Sequence, residues 1–154
     1  MQEDIKSAAP GAAKAPDSTL NKSDETSQTA SVDKMNIGAA PLAYLGDSVI
    51  ELWVRERLVT SGLPDSRRLN EESRRYVTAT AQAVAMKKIL PLLDERELAA
   101  YRRGRNIGHT NLPKSATAAE YRSATGMEAL MGWLHLCGQH RRIDFLLDTG
   151  YGTE

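Results

Sequence analysis

Pro41-Leu42-Ala43-Tyr44-Leu45-Gly46-Asp47-Ser48-Val49-Ile50-Glu51-Leu52-Trp53 is the stretch that decides the fold class. Leu42, Leu45, Val49 and Leu52 fall at steps of three and four, with Trp53 beside the last and Val59 two turns on. A helix turns that spacing into one apolar stripe. Pro41 suits the first turn, where a missing N–H does no harm, and Gly62 followed by Pro64 closes the helix. Asp47 interrupts the apolar run. A carboxylate in such company is costly unless it is paired, hydrogen-bonded or bound to a metal. Gly46 beside it costs ~1 kcal/mol relative to alanine inside a helix, which signals close approach of backbone or ligand.

The helical period continues outward from this segment over everything after Asn36. Asp65-Ser66 is a plausible N-cap for a second helix through Tyr76, Val77, Ala81, Val84 and Ala85, interrupted at Pro91. Asp94 opens a short helix, Glu95 to Arg103, ended by Gly104. A loop with Gly108 and Pro113 follows, from Arg105 to about Ser115. A long helix runs from about Thr117 to Cys137, and Gly138 separates it from a final one around Arg141 to Leu147. No segment alternates with period two for long enough to make a strand. The expected fold is therefore all-α, with one core in residues 36–150, of a size that favours dimerisation. With a single Phe in the chain, Leu, Ala, Val, Met and the two Trp must fill that core.

Residues 1–35 differ from the rest. Ala, Ser, Thr, Asp, Lys, Gln and Pro dominate them, so they are expected to form a disordered polar tail. The tail has no Arg, six acids and four lysines, unlike a transit peptide, and no apolar run that would make a secretory signal. No later stretch approaches the ~20 apolar residues of a membrane span. Cys137 is the only cysteine, so no disulfide forms within the chain, which suits a reducing compartment. Its apolar surroundings read as a buried thiol. A soluble, cytoplasmic protein is expected. The formal net charge is zero, with −2 on the tail and +2 on the remainder, so any nucleic-acid partner must be held by local clusters of charge.

A second acid is placed as oddly as Asp47. Glu128 interrupts Ala124-Thr125-Gly126-Met127-Glu128-Ala129-Leu130-Met131-Gly132-Trp133, again with glycines close by. Together the two sites suggest helices that cross tightly and bring their carboxylates together. Hard oxygen ligands on rigid helices suit Mg²⁺, which takes one or two carboxylates and completes its shell with waters and substrate phosphates. The bland alternative, acids that cap helices or pair with Arg, stays open at this level. Glu51, one turn after Asp47, could reach the same site or pair with Arg55 on the exposed side. Arg102, Arg103, Arg105, Asn106, His109 and Lys114 form a cationic, glycine-punctuated stretch. It either neutralises phosphates or solvates a helix C-terminus. Arg67, Arg68, Arg74 and Arg75 lie beside Glu71 and Glu72 and read as a self-paired surface. Tyr76 and Tyr121 read as core or interface residues. His109, His135 and His140 lack zinc-ligand spacing.

Leu45-Gly46-Asp47-Ser48-Val49-Ile50-Glu51-Leu52 resembles the signature helix of the ribonuclease III catalytic domain, and Glu128-Ala129-Leu130-Met131-Gly132 resembles its second acidic motif. The Mini-ribonuclease III branch is closer still. The resemblance takes in Pro41 to Asp47, Tyr76-Val77, Ala81-Gln82-Ala83, Arg102-Arg103-Gly104-Arg105-Asn106, Pro113-Lys114 and Tyr121 to Leu130, covering nearly everything from Ile37 to Leu147. It implies a helical endonuclease domain acting as a homodimer with Mg²⁺ on double-stranded RNA, maturing the ends of 23S rRNA precursor, with a ribosomal-protein helper among its partners. Asp47 and Glu128 match the metal-binding acids. Larger members of the family have acids where this chain has Ala40, Ala43 and Thr125, and a double-stranded-RNA-binding domain that is not expected here. A catalytically inactive, dimeric RNA-binding module is the alternative; retention of both Asp47 and Glu128 favours the enzyme.

Overall fold

Short side chains that mimic a missing backbone acceptor start most of the helices. Asp65 accepts from the Arg68 amide, Thr78 from Ala81, Asp94 from Arg96 and Glu97, and Thr117 from Glu120. Asp94 and Thr117 are completed as reciprocal boxes by Glu97 and Glu120. The computed structural model describes Lys34, residues 36–108 and residues 114–152. Apart from Lys34, the expected tail lies outside these, as do His109 and Pro113. The described residues form six α-helices, α1 (Ala39–Thr60), α2 (Ser66–Val77), α3 (Ala79–Ile89), α4 (Glu95–Arg105), α5 (Ala118–Leu136) and α6 (His140–Tyr151), with one 3-10 turn at Leu90–Leu92 and no strand.

Helix α5 is the hub, buried around most of its circumference from Ala124 to Leu134 except at Glu128, and packed against α1, α3, α4 and α6. Leu, Ile, Met, Ala and both Trp fill the core, as composition demands, while the lone Phe145 is half exposed.

Three boundaries and one buried face differ from the sequence reading. Thr78 is extended (φ −72°, ψ 149°), so the expected second helix is two, α2 and α3. The apolar period passes through this break because one residue can cap both helices without disturbing the count. Gly104 does not stop α4; it is buried inside the helix, which ends at Arg105. Helix α6 runs through Tyr151, beyond the expected Leu147. The buried stripe of α1 is Leu42, Ala43, Gly46, Ile50, Trp53, Val54 and Leu58, whereas Leu52 and Val59 are 58% and 66% exposed. Small residues mark the true contact face, and a reading weighted by side-chain size rotates it. Gly138 (φ +70°) turns the chain between α5 and α6, its amide and that of Gln139 reaching back to the His135 and Leu134 carbonyls.

One ion pair ties the ends of elements together. Glu97, 4% exposed, accepts from Arg142 Nε and Nη2 at 2.7 and 2.8 Å, and also from the Asp94 amide at 3.0 Å; Arg142 Nη2 donates to the Leu92 carbonyl at 2.7 Å. Arg142→Met should lower unfolding free energy by about 3 kcal/mol in urea titrations, because it strands a buried carboxylate. A loss no larger than that of an exposed pair such as Arg67–Glu71 would contradict this assignment.

Candidate active site

Helices α1 and α5 meet where neither has a side chain. A Cβ on Gly46 would lie 1.7 Å from the Glu128 carbonyl oxygen, and one on Gly132 would lie 2.1 Å from that of Leu42. The backbones are in direct contact at this crossing. Gly46 immediately precedes Asp47, and its contact on α5 is Glu128 itself, so the crossing delivers the two acids to one place. Asp47 is exposed and Glu128 half-buried.

Electrostatics follow from that placement. Burial, and secondarily the charge of Asp47, push Glu128 from an ordinary 4.5 up to about 8. Asp47 is raised too, by desolvation first and then by Glu51. Glu51 does both things open to it: its carboxylate takes the Arg55 guanidinium at 3.1 Å, and its charge still acts on Asp47. Among the described residues, no three His, Cys, Asp or Glu converge as a metal cage. A half-buried carboxylate whose proton affinity is raised by a second carboxylate nearby fits a cation that fills the rest of its shell with water and phosphate oxygens.

Because the Glu128 pKa is raised on folding, its contribution to stability is present below about pH 4.5 and is lost as pH rises towards 8. Metal-free protein should therefore lose up to a few kcal/mol between pH 5 and 8 in urea titrations with chelator. Glu128→Gln should flatten that slope. An unchanged slope in the variant would reject the assignment.

A second glycine crossing sets α4 against α5. A Cβ on Gly104 would meet Ala129 Cβ, the Thr125 carbonyl and Gly126 Cα at 2.5–3.0 Å. The C-terminal turn of α4 thus lies within a turn of Glu128 along α5. Arg102, Arg105 and Asn106 are exposed there, and Lys114 is exposed on the approach to α5. Arg103 differs: half-buried, it donates to the Ile37 carbonyl and so ties α4 to the lead-in of α1. The self-paired α2 surface is present as Arg67–Glu71 and Arg75–Glu72. His135 and His140 face each other edge to face at the α5–α6 turn, 5.1 Å apart.

The sequence reading missed the surroundings of Glu128. Tyr151 stacks on Trp53 (5.7 Å), meets Tyr76 edge-on (5.4 Å) and donates to the Tyr76 carbonyl at 2.8 Å. Burial and then the Glu128 charge raise its hydroxyl pKa, which puts it in the electrostatic neighbourhood of that acid. The only signal was an aromatic between two glycines near the chain end. Thr125 spends its hydroxyl on the Tyr121 carbonyl (3.0 Å).

A family profile for the ribonuclease III domain matches residues 40–139, spanning both acids and both glycine crossings. A Mini-ribonuclease 3 of Symbiobacterium thermophilum is 47% identical over 106 residues, 69% of this chain and 82% of that one. The chain belongs to the Mini-ribonuclease III family. Another Mini-ribonuclease 3, of Desulfitobacterium hafniense, is 46% identical over 109 residues, 70% of this chain and 68% of that one. A crystallised protein of Fusobacterium nucleatum superposes with a TM-score of 0.68 at 31% identity, over 73% of this chain and 90% of that one. As a Mini-ribonuclease III the chain is an endoribonuclease, which hydrolyses phosphodiester bonds within RNA. No helix among its described residues is long and apolar enough to cross a membrane.

Proposed function

We propose that this endoribonuclease is Mg²⁺-dependent and cuts both strands of double-stranded RNA, in the cytoplasm, at the ends of 23S rRNA precursor. The observation that carries the reading is the meeting of Asp47 and Glu128 at a backbone-to-backbone crossing. Both carboxylates would hold the ion, Glu128 from the half-buried side and Asp47 from the rim, with Glu51 one turn further along the rim. The chemistry such an ion supplies when bound is polarisation of the scissile phosphate and neutralisation of the charge that builds on it. The chain's own part is to fix the two acids on rigid helices. Folding has already met the repulsion between them, so they are placed before substrate arrives.

Duplex recognition follows from charge and symmetry. Arg102, Arg105, Asn106 and Lys114, with His109 in the same stretch, would run along the phosphates bordering a wide, shallow minor groove. Arg103 contributes by holding that arm to α1. Tyr44, Leu52 and Val59 share one exposed face of α1 beside the acids, 84%, 58% and 66% exposed. A two-fold homodimer joined there would offer one site to each strand. A ribosomal-protein helper that presents the precursor belongs to the same reading, as do a catalytic unit of residues 36–150 and a tail, 1–35, dispensable for cleavage.

The test is incubation with long duplex and with single-stranded RNA, in Mg²⁺ and in chelator. Cutting of the duplex alone, only with Mg²⁺, and by protein lacking residues 1–35, is expected. Cutting confined to single strands, or persisting in chelator, would overturn it. Arg102→Ala with Arg105→Ala should weaken duplex binding about tenfold or more at low salt and flatten the salt dependence by up to two phosphate contacts. Filter binding across a salt series reads both.

A further inference from the structure

Two glycines in contact hold helices close without fixing their angle. At the Gly46–Gly132 crossing no side chain lies between the backbones, so the crossing sets how closely α1 approaches α5, while contacts further along α1 set the angle at which Asp47 faces Glu128. Whatever sets the angle must grip α1 at a distance from the pivot, where a small displacement has leverage. Six residues beyond Asp47, about 9 Å along the helix, Trp53 is gripped on its ring. Tyr151 stacks on it, and the Arg57 guanidinium lies 4.3 Å from its centroid. Arg57 is itself paired with Asp148, one turn before Tyr151 on α6. The hydroxyl of Tyr151 is fixed by the Tyr76 carbonyl at the end of α2. Gly150 between them leaves no room for a Cβ against Ile89 (2.7 Å) and Ala85 (3.1 Å) of α3. The last turn of α6 is thus bolted to α2 and α3 on one side and grips α1 on the other.

We infer that this last turn, Asp148 to Tyr151, is the positioning element that holds α1 at the angle where Asp47 and Glu128 share a cation, with Tyr151 as its principal residue. The inference rests on the metal-site reading proposed above. An ordinary core aromatic would affect only how much protein is folded. A positioning aromatic changes the geometry between two ligands, and therefore how tightly folded protein takes up Mg²⁺ and how fast it turns over. RNA affinity, set by the α4 arm, is left alone.

The experiment compares wild type, Tyr151→Leu, Tyr151→Phe and Asp148→Asn as full-length chains below their melting temperatures, measuring kcat and KM for duplex RNA and, by calorimetric titration of the protein without RNA, half-saturating Mg²⁺. Tyr151→Leu should raise half-saturating Mg²⁺ fivefold or more and lower kcat at least tenfold, with KM within twofold. Tyr151→Phe, which keeps the stack, should recover most of both. Asp148→Asn, which removes a half-exposed pair without touching the core, should shift Mg²⁺ dependence the same way by about twofold; it decides the matter if Tyr151→Leu does not fold. Folded variants with wild-type Mg²⁺ dependence overturn the inference while leaving the metal site standing. Wild type that cuts without divalent metal would sink the metal-site reading itself, a separable outcome.

Discussion

Asp47→Asn should lower single-turnover cleavage of duplex RNA by about a thousandfold or more, close to 4 kcal/mol of transition-state stabilisation, with RNA affinity within a few-fold of wild type. The substitution keeps the shape of an exposed side chain on α1, so the fold is left intact, but it removes one of the two carboxylates that, among the described residues, meet at the crossing. A cation held by two charged ligands and water loses much of its affinity when one becomes neutral, and the scissile phosphate loses its polarising partner. Glu128→Gln should be as severe. The double variant should be little worse than either alone, because two ligands of one ion act as a unit. Binding measured with Ca²⁺ in place of Mg²⁺ separates affinity from chemistry. Variants that cut within tenfold of wild type would show that the reaction is carried elsewhere.

How much of this was legible in the sequence depends on whether the signal was local. The helix starts at Asp65 and Asp94 were readable because an N-cap is a matter of neighbouring residues. The oddity of Asp47 and Glu128 was readable because each acid breaks an apolar run close to a glycine, and the structure puts two of those glycines, Gly46 and Gly132, in the crossing of α1 and α5. What stayed hidden depends on packing. Nothing local distinguishes Gly104, which seats α4 on α5, from a glycine that ends a helix. Nothing local distinguishes Leu52, which faces out, from Leu42, which faces in. The Glu97–Arg142 pair and the Tyr151–Trp53 stack join residues far apart in the chain, and no periodicity announces either. Arg103 reads as one more phosphate ligand until its carbonyl partner at Ile37 is seen.

The glycine at the crossing carries the second large effect, on stability and activity together. Gly46→Ala should destabilise the fold by about 3 kcal/mol or more, a sizeable part of the 5–15 kcal/mol that a domain commonly has. The gain in helix propensity, ~1 kcal/mol at best, does not offset it. The added Cβ would sit 1.7 Å from the Glu128 oxygen, 2.5 Å from its carbonyl carbon and 2.8 Å from the Gly132 nitrogen. All three are backbone atoms, so no rotamer change relieves the clash. The helices must separate, opening voids along the most buried helix of the fold. Because the clashing residue is Glu128, separation also pulls the two acids apart, and cleavage should fall further than the folded fraction does. Gly108→Ala is the control, since a Cβ there meets nothing within 4 Å and the position lies off the α1–α5 crossing. Urea titrations and single-turnover cleavage on both variants give the comparison. If Gly46→Ala proves as stable and as active as Gly108→Ala, the helices do not touch backbone to backbone, and the geometry that joins Asp47 to Glu128 has no foundation.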